Sequence, residues 1–441
     1  RQNETGVGDA AGDIVAAQVG TSAYGAPRQT IGSLAMSDDI TTGALCYSNG
    51  QNSGLKISVV EQTDGSITFN VVHADYASMS LWNDLLDAAG IGLMAGDDVM
   101  DTKIVAGQDG MYCLTESSTD SGRRSLNAWK YAERAWADCG QVAQGLGGAG
   151  MAWHDGALYV AAADYSSDKI VLKKLEGGSW QEKARIDKSS NELSLCSVGN
   201  TLYMLADGYG TQVQVYAYNN GSLDPLGGVL PIGRASCPNL VEVNGAPVVV
   251  CGDSDAQALK AFRYQDGAWA TTIALGDGCP AALSAAKSND GAYVICSYQS
   301  RTIDASAPMP RLLKLDKSGA ISIEQELHDL PQYLLKASVA VGDADLYLST
   351  VDQNSIAATY SVARADLSTV DKLGGTVFAP AATVDSAVIG GKVYCAVSSE
   401  GSKKAYVKVH SALESTDSVV TISYASSDVS MGRVSSTSEQ V

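Results

Sequence analysis

Charge is scarce in this chain. Of 441 residues, 18% are Asp, Glu, Lys or Arg, against roughly a quarter in an average domain. Basic residues are the rarer sign: 30 Lys and Arg face 49 Asp and Glu, for a net charge of -19. A surface that acidic repels phosphate backbones and anionic lipid, which argues against nucleic acid as a partner and against membrane docking through a basic patch. Long apolar runs are missing as well. No stretch of about 18 apolar residues occurs, so no membrane-spanning helix and no membrane insertion is expected. The four histidines (His73, His154, His328, His410) are scattered, with no HExxH pair, no Cys/His zinc spacing and no serine nucleophile elbow. Chemistries that announce themselves by a local motif are therefore not signalled, and carboxylate chemistry, which needs none, stays open.

Nine cysteines is an odd number, so at least one thiol stands outside any intrachain pair. Cys46, Cys113, Cys251, Cys296 and Cys395 fall inside a recurrent strand phrase and read as small buried hydrophobes. Cys237-Pro238 and Cys279-Pro280 occupy matching places in neighbouring repeats, a placement that admits one disulfide.

What is present in quantity is that strand phrase. A turn residue, an apolar residue, usually Tyr, and an alternating strand recur around Cys46, Tyr112, Tyr159, Tyr203, Val248, Tyr293, Tyr347 and Tyr394, at successive steps of 66, 47, 44, 45, 45, 54 and 47. Units of that period, built from short strands, cannot bury an apolar face singly and must close into a ring. The expected fold is all-β: one β-propeller over 1–441, with eight four-stranded blades, or seven if a terminal unit is not a blade. Glycine turns check the period independently. Gly65, Gly178, Gly221, Gly267 and Gly319 lie 19, 19, 18, 19 and 26 residues past their anchors, where a hairpin turn should join the third and fourth strands (C and D) of a blade. The long fifth value and the step of 54 share one cause, an insertion at 301–310. The step of 66 calls for another: Trp82, Leu85, Leu86 and Ala89 have helical spacing, which predicts a short inserted helix within 74–102. Segments 1–28 and 435–441 read as terminal linkers, and a chain starting at Arg1 reads as a mature or excised fragment.

The order Gly-Ala-Leu-Tyr159-Val, an alternating strand, then Gly178-Ser-Trp180 resembles the kelch-type propeller repeat. Alanines 161 and 162 stand where a kelch repeat carries its glycine pair, and the tryptophan after the hairpin glycine is met at Trp180 and Trp269. The resemblance implies a binding scaffold and identifies no ligand.

In a four-strand meander the loops joining strands B and C share one end of the ring with the connections between blades, and they are where length varies. Function on a scaffold collects in such loops. Candidate ligand contacts there are Trp82, Tyr165, Asp164, Asp207 and Asp352, with Trp153 and His154 as residues that could line the central channel. Asp253 and Asp255 offer two hard oxygens to a calcium ion, and no other cofactor is implied. The reading is a non-catalytic, extracellular or cell-surface module, bacterial and monomeric, binding protein or carbohydrate or spacing other domains. The alternative is the propeller of a glycan- or peptide-acting hydrolase with carboxylates at the channel mouth.

Overall fold

The computed structural model describes residues 80–89, 92–93, 99–118, 124–144, 146–164, 168–208, 212–276, 278–298, 309–399 and 404–412, and the backbone of five further strands. Those five belong to a separate unit (1–81 and 412–441). In it Ala17–Val19 pairs with Gln29–Ile31, and the hairpin of Leu55–Thr63 and Ser66–His73 receives Ser418–Ser423 on its second edge.

The second unit, 82–411, is a seven-bladed propeller. Its innermost (A) strands are Val99–Gly107, Leu146–His154, Leu193–Val198, Ala235–Val243, Pro280–Ser288, Leu334–Val341 and Ala381–Ile389, for blades 1 to 7. Each packs on the next, and that of blade 7 packs back on blade 1. Strands B, C and D follow outward as antiparallel meanders. Blade 7 takes its D strand from ahead of blade 1: Ser80–Asp84 pairs with the C strand, Ala405–Ala412, and Leu85 N continues the ladder to Val407 O at 2.8 Å.

Two expectations are thereby corrected. Seven blades, not eight, are formed among the described residues: the first anchor, Cys46, lies ahead in sequence of the hairpin of Leu55–Thr63 and Ser66–His73, whose second edge is taken by Ser418–Ser423 in a separate three-stranded sheet. The helix expected within 74–102 is not formed in the described residues. Ser80–Asp84 and Val99–Gly107 are strands there, and the spacing of Trp82, Leu85 and Leu86 belongs to a closing strand and its exit. The disulfide that the placement of Cys237 and Cys279 admits is not formed. Cys237 and Cys279 are free thiols; Cys237 donates to Ala281 O at 3.1 Å and Cys279 lies 3.0 Å from Ser236 Oγ.

Turn chemistry follows the sequence. Asp155-Gly156, Asn244-Gly245, Asn220-Gly221 and Asp266-Gly267 all hold positive φ at both central positions, as tight hairpins whose twist matches their strands require. Glu133-Arg134 adopts the same conformation without glycine.

Strand B is buried along almost its whole length in each blade, as in Gly291–Tyr298, because it is covered by the blades on both sides. At the outer edge the tryptophans act as staples. The indole nitrogens of Trp82, Trp136, Trp180 and Trp269 donate to Leu373 O, Leu85 O, Cys139 O and Leu226 O of the preceding blade, at 2.9, 3.0, 2.9 and 2.9 Å.

Candidate functional site: the mouth of the central channel

One residue per A strand lies opposite the position two beyond the anchor: Lys103, Gly150, Ser194, Asn239, Ser284, Ser338 and Asp385. They form a polar girdle that ties blades together. Ser194, Ser284 and Ser338 accept from Leu240 N, Val339 N and Ser386 N of the next blade at 3.2, 3.1 and 3.0 Å. Asn239 donates to Leu283 O at 3.2 Å. Asp385 spans the closing junction, accepting from Ile104 N at 2.9 Å on one oxygen and from the Ser338 hydroxyl at 2.8 Å on the other. Gly150 is required by closeness: a Cβ there would lie 3.1 Å from Leu193 O, and one at Gly148 only 2.4 Å from Asn191 O.

Above this girdle, towards the B–C loops, six A strands carry a β-bulge. The extra residues are Met100, Gly147, Cys237 with Pro238, Ala281, Leu335 and Ala382. Bulges at a rim break the ladder and re-aim side chains. Blade 3 has none, and the residue ahead of its A strand is Glu192, whose carbonyl accepts from Asp207 N at 3.2 Å.

Some of the charges at this end meet across blades. Glu192 of blade 3 is open to water but hemmed in by protein. Burial pushes its carboxyl up, and repulsion from Asp207 adds to it, while Lys103 and Lys336 of blades 1 and 6 pull the other way. Burial works to lower Lys103, but the charges of Asp101, Asp385, Glu192 and Glu116 outweigh it and hold the amine above its usual range. Asp385 is raised by burial, against Lys103 and its three donors, Ile104 N, Ser338 and Ser386 N. Asp101 lies 4.0 Å from Lys103 of its own strand and Glu116 has its partner in Arg124 at 2.8 Å, whereas the lysines that act on the raised Glu192 come from other blades. Beside them a cavity of about 10 Å³, water-sized, is lined by Asp101, Lys103, Glu116 and their apolar neighbours.

The expected site residues divide. Asp207, 4% exposed, belongs to this mouth. Asp253 and Asp352 cap their own B–C loops: Asp253 accepts from Asp255 N and Ala256 N, each at 3.1 Å, and Asp352 from Asn354 N and Ile356 N at 2.8 and 3.0 Å. Asp253 also binds Lys260 at 2.6 Å. Burial works against its ionisation, but Lys260 and the loop amides hold it below the usual carboxylate range. The Asp255 carboxylate rests on Gly233. Trp82 is an outer staple that also packs on His410, with ring centroids 5.3 Å apart. Trp153 and His154 lie at the opposite end of the ring, beside the Asp155-Gly156 turn. Trp153 stacks on Tyr112 at 5.6 Å, and His154, lowered by burial, bonds Ser197 Oγ at 2.8 Å. Tyr165 and the Asp164 side chain fall outside the described residues.

Sequence reasoning missed Asp101, Lys103, Glu192, Lys336 and Asp385. A signal existed for the last: aligned on the anchors, Asp385 and Lys103 stand where blades 3, 5 and 6 place serine.

Known proteins add the fold. No family model and no curated protein matches this chain. Among solved structures it is similar to a chain of Kuenenia stuttgartiensis hydrazine synthase, with a TM-score of 0.52 and 13% identity over 72% of this chain and 97% of that one. The likeness is one of fold. A structure of SapL1 lectin in complex with alpha methyl fucoside aligns over 57% of this chain and 89% of that one, at 11% identity and a TM-score of 0.40, too low to carry an argument.

Proposed function

We propose that this propeller is a binding module whose ligand end is the channel mouth, and that it takes a protein or carbohydrate ligand outside the cell. The observation that carries the reading is the position of Glu192 there. Charges compensated within a blade hold a fold together; Glu192, pressed by Asp207 and answered only by lysines from other blades, has no such explanation. Perturbed acids in a concave place mark function more often than architecture. Glycan and peptide arrays probed with the wild type and with Leu335→Asp test it. A ligand lost in Leu335→Asp but kept by Asp290→Ala, at the far end of the ring, is the expected result. A ligand indifferent to Leu335→Asp overturns the reading.

The Glu192–Asp207 pair also supports a second reading, a hydrolase. A carboxyl whose surroundings raise its proton affinity can serve as general acid beside a second carboxylate that serves as base. Glu192, protonated, would give its proton to the leaving oxygen while Asp207 took one from the attacking water. Turnover of a glycoside or peptide that Glu192→Gln abolishes is the required result. Calcium at Asp253 and Asp255 stays a proposal, and it requires Lys260 to yield its place.

A further inference from the structure

Two opposite charges at the mouth have no counter-charge in contact. Glu192 of blade 3 and Lys336 of blade 6 are exposed, and neither is in an ion pair among the described residues. Other charges there are answered: Asp385 accepts from Ile104 N, Ser338 and Ser386 N, Glu116 holds Arg124, and Lys103 has Asp101 on its own strand. Blades 3 and 6 stand on opposite sides of a ring of seven, and Cys237 of blade 4 feels both residues. Burial pushes its thiol up to about 12; Glu192 adds to the rise and Lys336 opposes it. Cys237 is also a non-glycine residue held at a φ of 47° on its bulge, a kind of backbone strain that gathers at ligand sites. On the bulge of blade 6, directly before Lys336, Leu335 stands 52% exposed.

Resting on the channel mouth as the ligand end, we propose that its ligand is a protein segment carrying both charges around an apolar side chain: a Lys or Arg beside Glu192, a Glu or Asp beside Lys336, and the apolar group on Leu335. The two unpaired charges select this occupant. A purely basic segment would answer Glu192 and repel Lys336, and a purely acidic one would do the reverse. A neutral sugar would cover both and compensate neither, and a charge taken out of water without a partner is costly. Glu192 and Lys336 do not pair with each other, so a bridging segment gains a contact at each end. Charge matching of this kind acts mainly on encounter rate and specificity, so binding should weaken with salt.

The test uses the full chain and three synthetic peptides of equal length, one repeating Lys-Leu-Glu, one alternating lysine and leucine, one alternating glutamate and leucine, followed by titration calorimetry. The mixed peptide is expected to bind most tightly, to lose about tenfold in affinity in Glu192→Gln and similarly in Lys336→Gln, and to keep its affinity in Ile323→Ser, on an outer D strand. Thermal melts confirm that the variants, all at exposed positions, are folded. Mixed-peptide binding that survives both mouth variants overturns the proposal, because the contact then lies elsewhere on the surface. Binding of the lysine or the glutamate peptide alone, lost in a mouth variant, overturns the mixed ligand while leaving the mouth as the binding end. Binding of none of the three overturns the proposal and leaves the mouth to be judged by the arrays.

Discussion

The two ends of the ring solve the same problem differently. At the turn end, cations are used up close to where they arise. Lys130 and Lys174 lie over the rings of Tyr112 and Tyr159, directly across the strand pair, at 5.6 and 5.5 Å, and bind Asp109 at 2.6 Å and Glu176 at 3.0 Å. Blade 5 repeats the device with Lys314 over Tyr293 and bound to Asp290, and Arg364 of blade 6 joins it. At the mouth, Glu192 finds opposite charge only across blades, in Lys103 and Lys336. Pairing that repeats with the blade is part of how the repeat folds. Pairing that exists only in the closed ring belongs to the assembled molecule.

That contrast sets the size of three effects. The largest falls on Asp385→Ala, which strips Ile104 N and Ser338 of their acceptor at the junction of last blade with first and leaves Lys103 short of a counter-charge. Chemical denaturation should show a loss of about 3 kcal/mol. Asp290→Ala, its turn-end counterpart, removes a half-open carboxylate shared by two cations, and exposed ion pairs are worth about 0–1 kcal/mol. Its carboxyl is held well below the usual range by Lys314 and then Ser288. The contribution is therefore present at neutral pH and fades as pH falls through that lowered value, so wild type and variant should converge in strong acid. A loss as large as that of Asp385→Ala would erase the distinction between the ends.

Glu192→Gln should have the smallest effect and the opposite sign. Its raised carboxyl binds a proton more readily folded than unfolded, so wild-type stability drops as pH climbs from the ordinary carboxylate value through the raised one. Above that window the variant should melt slightly higher than wild type, and on acidification the gap should close. A variant that melts lower at neutral pH would show Glu192 to be a structural partner of the lysines.

The ring was legible because its rule is local. Glycine turns, a tyrosine anchor and alternation within one blade are all written within a period, and seven of eight anchors fall in true blades. The count failed where the rule stops being local. Nothing near Trp82 states that its strand belongs to a blade more than 300 residues later, or that it shares a role with Trp180, because the glycine that announces the turn before Trp180 has no counterpart there. The mouth failed for a related reason. Asp207 was found because loop acids stand out, yet its significance depends on Glu192, which reads as one polar residue in a connecting segment, and on lysines that approach only once the ring closes. Asp253 shows the converse: an acidic triplet with the look of a cation site has its own lysine seven residues on.

The strand Ser80–Asp84 has one more implication, for the order of events during synthesis. It leaves the ribosome before any blade, and its partner, Ala405–Ala412, leaves after all of them; at roughly 5–20 residues per second that is a wait on the order of tens of seconds. Until then an unmatched edge travels with the nascent polypeptide, and a prematurely terminated product never finds its mate. The finished circle therefore certifies that translation ran through its last blade.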